Sequence, residues 1–78
     1  LKKERGVRMA TAYAWIDQIF ASQIAKRGGV VRRKVSSIDR FSSRPALKRE
    51  CKRRGYHVVA HGDQWLVFCD KAQVSIVC

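Results

Sequence analysis

The side chains in this sequence best fitted to do chemistry are cations. Lys48, Arg49, Lys52 and Arg53 lie close together, Arg44 precedes them, and Arg32-Arg33-Lys34 stands upstream as an unbroken triplet. Neutralising phosphate asks only for Lys and Arg at the right places, and it makes binding salt-dependent. Reading bases would need side chains aimed into a groove. The expected contacts to a DNA or RNA phosphate backbone are therefore Arg32, Arg33, Lys34, Arg44, Lys48, Arg49, Lys52 and Arg53. Residues 26–54 hold twelve Lys or Arg against Asp39 and Glu50, whereas residues 56–78 hold Lys71 against Asp63 and Asp70. A net charge of +11 concentrated in this way can gather into a one-sided patch for a polyanion. The plain alternative, a solvated face that aids solubility, would more usually mix both signs.

Other chemistries have fewer residues behind them. His57 and His61 are four apart, but a strand puts their Cα atoms roughly 13 Å from each other, too far to chelate one ion. No metal and no cofactor is expected. Cys51 sits among Lys48, Lys52 and Arg54, which would lower a thiol pKa, yet it falls on the apolar stripe of its helix and reads as a buried structural cysteine. The six acids, Glu4, Asp17, Asp39, Glu50, Asp63 and Asp70, form no evident pair for acid–base work. His57 and His61 remain as general-base candidates; no catalytic residue is assigned. Three cysteines without regular spacing do not form a disulfide framework and suit a reducing cytoplasm. No apolar run approaches the roughly 18 residues of a membrane span.

The elements that must position these residues are few. At 78 residues and 46% hydrophobic, the chain is long enough for one small domain with a modest core. Residues 1–9 are expected to be a disordered basic tail and 10–78 one α+β domain. Residues 10–26 read as an amphipathic helix, with Trp15, Ile19, Ile16, Phe20 and Ile24 on its apolar arc, Ala14, Ala21 and Ala25 on the other side, and Gly28-Gly29 as its stop. Val30–Val35 alternates Val31 and Val35 with Arg32 and Lys34, as a short strand does. Ile38 and Phe41 suit one or two helical turns. Ser42-Ser43 then offers an N-cap, and Pro45 opens a basic helix 44–54 whose apolar stripe is Leu47 and Cys51, ended by Gly55.

Tyr56–His61 and Gln64–Cys69 read as a hairpin about a Gly62-Asp63 turn. That register pairs Ala60 with Trp65, Val58 with Val67 and Tyr56 with Cys69. One face is then wholly apolar. Leu66 and Phe68 lie on the other, mixed face. Val74–Cys78 is expected as the third strand of an antiparallel meander beside Gln64–Cys69, with Cys78 facing Trp65. Val30–Val35 could extend that sheet.

The order helix, short strand, short helix, turn, basic helix, strand, turn, strand resembles the winged form of the helix-turn-helix. Ser36-Ser37-Ile38-Asp39-Arg40-Phe41-Ser42-Ser43-Arg44-Pro45-Ala46-Leu47-Lys48-Arg49 and Arg53-Arg54-Gly55-Tyr56 carry the resemblance. It implies that Pro45–Arg54 is a recognition helix for a major groove and that His61–Gln64 is the wing. The helix-plus-meander is also similar to small RNA-cleaving toxins with a double-stranded-RNA-binding-like sheet. Those place a catalytic histidine two residues after a hairpin glycine; here Asp63-Gln64 follows Gly62, and His61 precedes it. Tyr13–Phe20 and Arg53-Arg54-Gly55-Tyr56-His57 resemble short bacterial proteins of no established function, some labelled phosphoribosylanthranilate isomerase. That enzyme is a βα barrel of ~250 residues, which a chain of 78 residues does not encode.

Three classes of function follow. The first is non-catalytic nucleic-acid binding through the 26–54 block. The second is a protein-interaction or homodimer module using the alanine patch or the Leu66/Phe68 face. The third is a small RNA-directed enzyme using His57 or His61.

Overall fold

The computed structural model describes residues 12–78. The expected tail 1–9 and the first two residues of the expected helix lie outside that range. Within it the chain is a small α+β domain. Helix α1 spans residues 12–20. It is followed by α2 (Gln23–Lys26), β1 (Val30–Lys34), α3 (Val35–Phe41), α4 (Arg44–Arg54), β2 (His57–His61) and β3 (Gln64–Phe68).

The expected helix 10–26 is broken at Ser22. This residue is extended (φ −66°, ψ 156°) and its hydroxyl accepts from the Ala25 N–H at 3.3 Å. Serine competes with the helix for its own backbone donors, so it serves better as a cap than as an interior residue. The break redirects the chain. Ala25 is buried at 5% exposure, while Ile24, placed on the core arc by an unbroken helix, is turned out at 56%. The alanine patch is thereby dissolved, because Ala25 belongs to the core.

The basic helix has the expected limits. The Ser43 hydroxyl accepts from Ala46 N–H at 3.1 Å, and Pro45 falls in the first turn. At the far end Gly55 is left-handed (φ 77°). Tyr56 N–H donates to Cys51 C=O at 2.8 Å and Gly55 N–H to Lys52 C=O at 3.1 Å. This paired closure satisfies two orphan carbonyls and needs a residue without a Cβ at the turn.

The sheet has three antiparallel strands in the order β1-β3-β2. The hairpin holds the expected pairs Ala60–Trp65 and Val58–Val67. Gly62 has φ 60° and Asp63 an ordinary negative φ, the arrangement of a two-residue II′ turn. The third strand, however, is not Val74–Cys78. β1 occupies that side of β3, pairing Val31 with Val67 and Arg33 with Trp65. Both segments offer alternating β-branched residues, and β3 has room for one. β1 takes the place because Val31 buries to 3% exposure there and because Cys69 N–H donates to Gly29 C=O at 3.0 Å, pinning the register. Residues 74–78 form no ladder, with Ile76 and Val77 at 89% and 95% exposure. The expected placement of Cys78 opposite Trp65 fails with it.

The core lies between one sheet face and the helices. Ile16, Ile19 and Phe20 of α1, Ile38 of α3, Leu47 and Cys51 of α4, and Val31, Val67 and Cys69 meet there with Ala25. Burying each large aliphatic side chain stabilises the fold by about 1.5–3 kcal/mol. Aromatic contacts close its rim: Trp15 stacks on Phe41 at 5.9 Å, and Phe20 packs tilted on Tyr56 at 5.5 Å.

Candidate nucleic-acid interface

α4 positions the candidate site. Its inner side is anchored by Leu47 and Cys51, at 0% and 1% exposure, which fixes the rotation of the helix. At 3.6 residues per turn, Lys48, Lys52 and Arg49 then spread over an outward arc of about 100°. All three are exposed. No ion pair forms to any of them among the described residues. Lys48 and Lys52 border a crease beside β2 of about 320 Å³ that also touches Tyr56, His57 and Val58. Arg49 borders a hollow on the opposite flank with Tyr13, Pro45 and Ala46.

The other expected α4 contacts are already engaged. Arg44 makes a two-pronged pair with Asp39 of α3 at 3.1 and 2.9 Å. That contact ties the helices across the Ser42-Ser43 turn and leaves Arg44 exposed but directed. Arg53 is held by Glu50, with Nη2 2.5 Å from Oε1. Arg54 reaches the same carboxylate at 2.9 Å and lies over the Phe20 ring at 4.5 Å from its centroid. The Arg53 guanidinium, helped by Arg54, holds the Glu50 carboxyl below its ordinary range, against the burial that would raise it. The single acid of α4 is thus spent on the helix's rear edge, away from the arc of three.

The cations of β1 are not joined to this arc. Arg32 and Lys34 are exposed and stand in register with Leu66 and Gln64. By strand alternation they lie on the sheet face opposite the core, whereas α4 packs against the core side. Arg33 alternates to the inner face with Val31, is half-buried, and donates to Arg32 C=O. The single patch expected from the 26–54 block is therefore divided: the α4 arc stands apart from the outer sheet face with Arg32 and Lys34. The same alternation gives that outer face His57, His61, Val59, Leu66 and Phe68, and none of the paired strand residues is a carboxylate.

The cysteines settle by burial. Desolvation, with Cys69 adding to it, pushes the Cys51 thiol up to about 12. Burial likewise raises Cys69, whose neighbour Asp70 adds to the effect. Both thiols stay protonated at neutral pH, the reverse of the activation that flanking lysines would give an exposed cysteine. Cys78 is exposed, and all three are free. Among the described residues no three His, Cys, Asp or Glu side chains gather as a metal site, and no helix is long and apolar enough to cross a membrane.

Sequence reasoning missed the division between engaged and free cations. Glu50 at i−3 to Arg53 and i−4 to Arg54 was a visible signal, since such spacings pair on a helix. The Asp39–Arg44 pair bridges two helices and had no such local signature. Compared with known proteins, the chain matches no family model, no curated protein and no solved structure.

Proposed function

We propose that this chain is a small nucleic-acid-binding domain that lays α4 against a phosphate backbone through Lys48, Arg49 and Lys52. One observation carries the reading. Three cations share an exposed arc of a helix whose own acid is bound elsewhere, so their mutual repulsion has no internal relief. A polyanion supplies that relief, and phosphate neutralisation releases counterions. Arg44, fixed by Asp39 at the N-terminal edge of α4, adds a fourth contact, and Arg53 a marginal one.

The order of elements supports a winged helix-turn-helix version of this reading. α3, a two-residue connection and α4 stand as the helix-turn-helix, and β2–β3 with its Gly62-Asp63 turn stands as the wing. In that arrangement α4 is the element that enters a major groove. Arg32, Arg33 and Lys34 then contribute to the general field that steers a polyanion, rather than to the same contact. Three free thiols suit a reducing, cytoplasmic setting.

Fluorescence anisotropy with labelled duplex DNA and duplex RNA tests the proposal. The wild type should bind at low salt, and a Lys48→Gln/Arg49→Gln/Lys52→Gln variant with an unchanged circular dichroism spectrum should bind at least tenfold more weakly. Equal binding by the two proteins, or none by the wild type at low salt, would overturn it.

A further inference from the structure

β2 is an edge strand whose open side is equipped for another strand. Cys69 N–H donates to Gly29 C=O and Val35 N–H to Asp63 C=O. The odd-numbered residues of β3 therefore turn their backbone groups toward β1. Gln64, Leu66 and Phe68 are left to exchange with His61, Val59 and His57. Such exchanges alternate along an antiparallel ladder, so Val58 and Ala60 aim their N–H and C=O groups outward. Neither has a backbone partner there among the described residues. The same two residues line an apolar crease beneath α4, where Val58, Ala60 and Trp65 bound a hollow of about 170 Å³ next to Lys48. An apolar edge with free backbone groups is a template for an added strand.

Val74–Cys78 has the matching needs. Its residues are β-branched and apolar at Val74, Ile76 and Val77, and Ile76 and Val77 are almost fully exposed. β3 has no side left for it, since both are taken by β1 and β2. The segment leaves the fold beside the neighbouring crease of about 320 Å³, which shares Lys48 and Val58 with this hollow: the Lys71 side chain lies against Gly55, which lines that larger crease.

We propose that Val74–Cys78 of one copy pairs with the open edge of β2 in a second copy, reciprocally, to give a strand-exchanged dimer. Val74 and Ile76 cover Val58, Ala60 and Trp65, and the segment's backbone takes up the free groups of Val58 and Ala60. Each chain carries +11, so the two copies repel. Salt screens that repulsion, and the dimer tightens as salt rises. Phosphate binding by α4 weakens under the same change, so the two associations respond to salt in opposite directions.

Sedimentation velocity of the full chain across a concentration series, at low and high salt, tests this. The wild type should show a dimer whose share grows with concentration and with salt. Ala60→Pro removes an N–H that β3 does not use, a substitution an edge strand accepts. Ile76→Asp/Val77→Asp alters only exposed side chains. Each variant should be monomeric at every concentration with a native circular dichroism spectrum. In a Cys78→Ser background, mixing an Ala60→Cys chain with an Ile76→Cys chain should give a disulfide between the two different chains. A wild type that is monomeric throughout, a dimer that persists in both variants, a dimer that weakens with salt, or a segment paired with its own chain's β2 would each overturn the proposal.

Discussion

Glu50 is the residue on which the charge pattern of α4 turns. Held by Arg53 and Arg54, its carboxyl titrates below the ordinary value of about 4.3. A lowered native pKa favours the folded state above the unfolded value, and that contribution is lost as pH falls through the native one. Urea denaturation between about pH 5 and pH 3 should therefore show a steeper loss of stability in the wild type than in Glu50→Gln. Identical profiles would deny the pairing. Cys51 and Cys69 make a second prediction at this scale. With both thiols buried and protonated, a thiol reagent at neutral pH should modify Cys78 quickly, and the other two only after denaturant is added. The buried role of Cys51 was legible from its place on the Leu47 stripe. Which arginines stay free was legible only in part, because Asp39 and Arg44 meet across a turn whose geometry no local spacing gives.

At the scale of elements, glycine and serine decided what could be read. Gly55 and Gly62 take positive φ, so α4 and the hairpin ended where those residues stand. Ser43 and Pro45 marked the start of α4 equally well. Ser22 misled because the apolar spacing of residues 15–24 runs through it, and capping competes with that spacing only locally. Val74–Cys78 misled for a different reason. Alternation identifies a strand but not its neighbour, and Val30–Lys34 had the same pattern with better burial for Val31. Two substitutions test the assigned ends of α4. Ser43→Ala should cost about 1 kcal/mol through loss of the cap. Gly55→Ala should cost about 1–2 kcal/mol by forcing a Cβ into the left-handed region. Chemical denaturation measures both. A neutral result for Gly55→Ala would contradict the paired closure onto Cys51 and Lys52.

For the whole molecule, the sum of charge is less informative than its partition by the sheet. The three strands place Arg32 and Lys34 on one side and α4 on the other, so the cations of β1 and α4 present two surfaces at contact, while the +11 of the chain acts at long range as one field. That partition depends on β1 pairing with β3, which the sequence offered only as an extension of the sheet. The α4 arc is the surface on which the functional reading rests. Its most direct measurement is the slope of log K against log salt concentration for duplex DNA, compared between the wild type and Lys48→Gln/Arg49→Gln/Lys52→Gln. Each phosphate contact contributes about 0.9 to that slope, so loss of three should flatten it by roughly 2.7. A slope unchanged by the triple substitution would contradict the account.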